Sequence, residues 1–206
     1  MPKRVTWKEN ALINLKLRDD LFTIAEMLRS PFLRLFKTSN KDGVWRNLDL
    51  NKVEVLFCVL VGQVVLQQLC EGKVRDRSVI PSALPFPKLW MRPYVNFDGG
   101  FTFIGARLVE VDPTKCITTA PVVKDWLLPK ADAELIKKYE LTNMWGADDL
   151  RERLVRYFDT GIDRNELKEK VFDFSLRGND PTDGGHSAGR ETFGPPPGAF
   201  ERVDKG

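Results

Sequence analysis

Apolar Ile13, Leu15 and Leu17 alternate with polar Asn14, Lys16 and Arg18, the period of two expected of a strand with one buried face. Asp19-Asp20 follows as a tight turn and Leu21–Leu28 as the returning strand, so the chain opens with a predicted β-hairpin. Beyond Pro31, the segments Phe32–Phe36 and Val44-Trp45 flank Asn40-Lys41-Asp42-Gly43, whose residues tolerate positive φ. This arrangement predicts a second hairpin. Val53–Val61 is rich in β-branched and aromatic residues and reads as a buried strand, the best single core candidate.

Four prolines between Pro81 and Pro93 remove amide donors, which makes this stretch an ordered loop or a sheet edge. Asp98-Gly99-Gly100 is a turn, Phe101–Val111 contains a strand, and Asp112-Pro113 ends it. After Pro129 the period lengthens. Leu135, Ile136 and Tyr139 mark one helical face, Leu150, Leu154 and Phe158 a second, Leu167 and Val171 a third. For the third, Asp163 is the expected cap, Glu166 its reciprocal partner and Ile162 a staple on Leu167. The expected fold class is α+β: an N-terminal, mainly antiparallel β sheet or small barrel, then short C-terminal helices packed on it. Residues 1–176 form the expected single domain, and the Gly/Pro-rich residues 177–206 an expected flexible tail, with too few apolar groups to offset ordering entropy.

Charge and composition change this picture little. Against 32 basic residues stand 29 acidic ones, interleaved along the chain, so the net +3 is a small imbalance and nucleic acid is not indicated. The longest apolar run, Val53 to Leu69, is interrupted by Glu54, Gly62, Gln63, Gln67 and Gln68, and no signal-peptide apolar region follows the basic start. Cys58, Cys70 and Cys116 are odd in number, and the first two lie within or beside apolar runs, which suits reduced, buried thiols. A cytoplasmic protein with no membrane association is expected.

Candidate chemistry is sparse. The one histidine, His186, falls in the expected tail, so neither a His-based triad nor a metal site is expected. Asp19-Asp20 suits a turn and Asp148-Asp149 the first turn of a helix, where negative charge complements the dipole. Asp42-Gly43 and Asp98-Gly99-Gly100 lack the spacing and the Lys-Ser/Thr of a phosphate loop. No catalytic residue, metal or cofactor is assigned. Arg151, Arg153 and Arg156 read as a solvated helix face, with an acidic partner as the sharper alternative. Trp7, Trp45, Trp90, Trp126 and Trp145 have core packing as their default, but amphipathic aromatics beside charges can also anchor an interface. The candidate partner-binding residues are therefore Trp45, Arg46, Trp90, Arg92, Trp145 and Arg151.

The opening Trp7-Lys8-Glu9-Asn10-Ala11-Leu12-Ile13-Asn14-Leu15-Lys16-Leu17, a turn, and Leu21-Phe22-Thr23-Ile24-Ala25-Glu26-Met27-Leu28 resembles the start of the bacterial immunity protein 26 family. The resemblance covers mainly this opening, with weaker similarity of arrangement to Glu110. It departs at Tyr139–Gly146, in the surrounding helical segment and in the Gly/Pro-rich end. It implies a non-catalytic immunity protein whose partner is a cognate toxin of a polymorphic or contact-dependent system. The alternative expectation is a small β-barrel-like RNA- or DNA-binding module with Trp and Arg on one face.

Overall fold

A computed structural model of the chain describes residues 5–96 and 102–172, within a compact unit Met1–Phe172. The expected tail, His186 and the Asp98-Gly99-Gly100 turn lie outside the described residues. Nine strands are described: β1 Ala11–Arg18, β2 Leu21–Met27, β3 Phe32–Asn40, β4 Val55–Val61, β5 Cys70–Lys73, β6 Leu89–Asn96, β7 Thr102–Glu110, β8 Val122–Lys124 and β9 Met144–Trp145. Four α-helices accompany them: α1 Gln63–Leu69, α2 Ala133–Lys138, α3 Ala147–Thr160 and α4 Glu166–Phe172. The fold is α+β, a curled mixed sheet of half-barrel form ordered β5-β1-β2-β3-β4-β9 with a small antiparallel sheet β6-β7-β8.

The first hairpin forms as the alternation predicts, with Ala11 opposite Met27 and Leu15 opposite Thr23. The second does not turn at Asn40–Gly43. Those residues do form a turn, in which the Gly43 amide donates to Asn40 Oδ1 at 2.8 Å and Gly43 takes φ +69°. A Cβ there would come within 2.4 Å of the Asn14 side chain. Val44-Trp45 then leave the sheet because the Trp45 ring sinks into a cluster with Leu12, Ile24, Phe36 and Leu50. The strand that returns against β3 is β4, with Leu33 opposite Val59.

The large sheet is buried on both faces, which explains why β4 reads as a nearly continuous apolar run. One face carries Ile13, Leu15, Leu33, Leu35 and Val59 against α1 and against Leu150 and Leu154 of α3. Each such leucine fully buried contributes about 1.5–3 kcal/mol. The opposite face meets the small sheet through Leu28, Phe32 and Leu60 against Trp90 and Val109. On that face Glu26, Arg34 and Cys58 form a cross-strand row, since Glu26 lies opposite Arg34 and Arg34 opposite Cys58. Arg34 donates to Glu26 Oε2 at 2.8 Å and to the Leu84 and Pro85 carbonyls at 2.9 and 2.6 Å, fastening the proline-rich loop to the sheet. That loop then leads into β6, an edge strand that accommodates Pro93.

Residues 140–145 tie the two sheets together. Leu141 bridges Met91 of the small sheet, and β9 pairs in parallel with β4. Behind the small sheet, Met91, Ala106, Leu108 and Leu127 pack on Leu141 and Val171, with residues of α2 and α4 alongside. The expected three C-terminal helices are present, and α3 ends at Gly161 in the left-handed region, its amide donating to the Tyr157 carbonyl at 2.7 Å. The cap of α4 differs from expectation. Asn165, not Asp163, accepts the Lys168 amide at 3.1 Å, while Asp163 is held by Arg153 and Ile162 is exposed. Among the described residues no helix is long and apolar enough to cross a membrane.

Candidate functional site

The six candidate partner-binding residues do not converge. Trp45, Trp90 and Trp145 are core residues of three different clusters and are all buried. The Trp45 indole donates to Asn14 Oδ1 at 2.9 Å and that of Trp90 to the Pro87 carbonyl at 2.6 Å. Trp145 Nε1 is buried without a partner. Arg46 is exposed, Arg151 pairs with Asp148 at 2.6 Å on α3, and Arg92 sits half-buried on the small sheet. Arg46 is exposed while the ring of its neighbour Trp45 is buried, so a charged residue next to a tryptophan in the chain does not mark an exposed ring.

The solvated-face reading of α3 is also corrected for Arg153, which is 2% exposed. Its guanidinium lies 3.7 Å from the Phe57 ring centroid and 5.0 Å from that of Trp145. It donates to both oxygens of Glu140, at 3.0 and 2.8 Å, and to both of Asp163, at 2.7 and 2.9 Å. These bonds hold its pKa above the ordinary arginine value despite burial. A cleft of about 300 Å³ beside it is lined by Trp145, Arg156, Arg164, Glu166 and Lys170. Arg156 there pairs with Glu152 and Glu166, and Arg164 with Glu169. Cys58 is buried, and desolvation pushes its thiol up to about 11, leaving it unreactive. Cys70 is buried as expected, whereas Cys116 is exposed.

A different set of side chains comes together on the small sheet. Arg92 of β6 lies directly opposite Arg107 of β7, so the two guanidiniums extend from the same face. Arg107 stands over the Tyr94 ring, 4.3 Å from its centroid, and its Nε is buried with no partner. Arg92 donates only to backbone carbonyls, those of Thr118 at 2.6 Å and Ile117 at 3.4 Å. Burial, and then the like charge of Arg107, lower its pKa. Tyr94 in turn packs on Trp126, with ring centroids 4.9 Å apart. The Tyr94 hydroxyl donates to the Asp125 carboxylate, and burial together with that bond pushes it up to about 12, so it stays a protonated donor. Neither arginine has an ion-pair partner among the described residues.

Trp126 is the tryptophan that sequence reasoning passed over. It is 41% exposed, and its φ of +52° is uncommon for a bulky side chain. The loop is pinned on both sides of it. Leu127 is buried and its amide donates to the Ala106 carbonyl at 2.8 Å, while the Leu128 amide donates to the buried carboxylate of Asp132 at 2.9 Å. Lys124 pairs with that same carboxylate and, first among the causes, holds it below the usual range. Of the ten exposed large apolar side chains among the described residues, four fall in this segment: Val122, Val123, Trp126 and Leu128. Such concentration on an edge strand and its loop sets this segment apart from the exposed apolar side chains scattered singly elsewhere.

Among the described residues, no three His, Cys, Asp or Glu side chains gather as metal ligands. A family model described as a domain of unknown function (DUF8309) matches residues 2–175, and that description carries no immunity name. Neither the curated proteins nor the solved structures give a significant match.

Proposed function

The chain belongs to this family of domains of unknown function, and from that premise we propose that it is a non-catalytic binding protein of immunity type, whose partner is a cognate toxin domain. The observation that carries the reading is the rigidly held, exposed Trp126 with Val122, Val123 and Leu128 around it and the unpaired Arg92 and Arg107 at its border. Trp, Tyr and Arg supply most hot-spot energy at protein interfaces, and a pinned loop loses little entropy when it docks. The choice of a toxin rests on the N-terminal resemblance, and a cytoplasmic site of action goes with it.

The test is calorimetric titration of the chain with the toxin domain encoded beside its gene. Binding is expected, and Trp126→Ala is expected to weaken it by about tenfold or more, the hot-spot range. Absence of binding sinks the toxin reading, and a Trp126→Ala variant that binds normally removes this surface from it.

The pairing of neighbouring aromatics with arginines also favours a second reading, a module that stacks nucleic-acid bases on Tyr94 and Trp126. That reading requires affinity to fall steeply with salt, in proportion to the phosphates contacted.

A further inference from the structure

Three features of the small sheet point to a ligand of one charge type. Opposed like charges on neighbouring strands destabilise a sheet, yet Arg92 and Arg107 face each other in register. The buried arginines elsewhere are compensated, Arg34 by Glu26 at 2.8 Å and Arg153 by Glu140 and Asp163. Among the described residues, the carboxylate beside the Arg92–Arg107 pair, Asp125, accepts from the Tyr94 hydroxyl and bonds to neither guanidinium. The buried Nε of Arg107 has no acceptor among the described residues, and a buried unsatisfied donor of a charged group is costly to the fold.

We propose that Arg92 and Arg107 form a binding site for a phosphate monoester that carries a flat ring, of the chemical class of a nucleoside monophosphate. Charge balance selects the phosphate. Two guanidiniums bring two positive charges and Asp125 one negative charge, so the pair stays net positive; a phosphate monoester near pH 7 carries about −1.5 to −2 and offers three acceptor oxygens where a carboxylate ligand offers two. Guanidiniums also suit phosphate through paired N–H donors in a fixed plane. The neighbouring Tyr94–Trp126 pair supplies the aromatic face on which the ring rests, and Trp126 exposes enough of its indole to receive it. This site goes beyond the partner-binding reading. It follows from charge and donor count at two strand positions, whereas the partner-binding reading centres on Trp126 and has the same two arginines only at its border.

The test is calorimetric titration of the full chain with adenosine monophosphate, adenosine and inorganic phosphate at pH 7.5. Adenosine monophosphate is expected to bind saturably with a Kd below about 1 mM, and adenosine about tenfold more weakly. Arg92→Gln and Arg107→Gln should each lower that affinity about tenfold, and Arg107→Gln should leave the thermal midpoint no lower than that of the parent chain. Trp126→Ala should weaken adenosine monophosphate and leave inorganic phosphate unchanged. An arm that needs no variant uses pH. At pH 5.5 the phosphate, with its second pKa near about 6, loses much of its second charge, and affinity should fall although both arginines stay protonated.

No saturation up to about 10 mM overturns the proposal. Wild-type affinity in Arg107→Gln overturns it too, as does adenosine binding as tightly as its monophosphate, or an affinity independent of pH. Tighter binding of a single-stranded oligonucleotide that lacks terminal phosphates assigns the surface to nucleic acid and overturns the small-ligand reading. Toxin binding that survives in Arg107→Gln, with adenosine monophosphate binding lost, separates this site from the partner surface.

Discussion

Arg153 and Arg107 are both partly or wholly buried cations set over aromatic rings, Phe57 at 3.7 Å for the first and Tyr94 at 4.3 Å for the second. Every donor nitrogen of Arg153 meets a carboxylate oxygen, and its partner Glu140 is bonded further to Asn165 and Lys168 at 3.0 and 3.4 Å. The network joins α3 to the segment before β9 and to the start of α4, so its charges work on the fold itself. Arg107 has the ring and nothing else among the described residues. The hydrogen bonding of one arginine is complete, and the Nε of the other is left open. Marginal stability tolerates an uncompensated buried charge only where something offsets its cost.

The two arginines should respond oppositely to removal. Arg153→Met is expected to destabilise the chain by about 3–5 kcal/mol in chemical denaturation, because Glu140 and Asp163 are left without their shared cation. Arg107→Met is expected to leave stability unchanged or raise it, since it removes a like-charge opposition and an unsatisfied donor. A loss from Arg107→Met as large as that from Arg153→Met would make the pair on the small sheet structural.

The loop carrying Trp126 sharpens the contrast through pH. Lys124 and the Leu128 amide depress the folded-state pKa of Asp132, so its stabilising contribution is present above the unfolded carboxylate pKa and is lost as pH falls through the folded value. Asp132→Asn should therefore cost about 2 kcal/mol at pH 7 and flatten the acid limb of the stability profile, read by urea denaturation across pH 2–6. An unchanged acid limb would show that the loop is not held by this charge.

Smaller effects test the helix start and the presented indole. Asn165→Ala should cost about 1 kcal/mol of stability as a lost cap. Trp126→Gly should raise stability by up to about 1 kcal/mol, because glycine occupies φ +52° without a Cβ penalty, and should weaken partner binding in the same preparation. If Trp126→Gly instead unfolds the chain, the indole is a packing element and the contact surface loses its centre.

Much of the framework was legible along the chain. The period of two through Ile13, Leu15 and Leu17 led to β1, the β-branched run led to β4, and the lengthened period after Pro129 led to the C-terminal helices. The turn at Asn40–Gly43 was legible as a turn but not as a failed hairpin, because Trp45 is drawn away by a cluster assembled from β1, β2 and β3. The short helix α1 hid in an apolar run whose interrupting polar residues Gln63, Gln67 and Gln68 fall at helical spacing. The buried tryptophans were not legible from their charged neighbours, because Trp45, Trp90 and Trp145 are each enclosed by residues distant in the chain.

Local composition and periodicity by themselves determined the α+β class and the first hairpin, because these depend on residues close together in the chain. Tertiary structure alone decided which arginines are paired and which tryptophan is presented. Arg92 and Arg107 become neighbours only through the β6–β7 register, and Arg153 meets Glu140 and Asp163 only when α3 packs against the sheet. A charge has no counter-charge or orphan donor until the chain has folded around it, so the candidate site is a property of register and packing rather than of sequence motif.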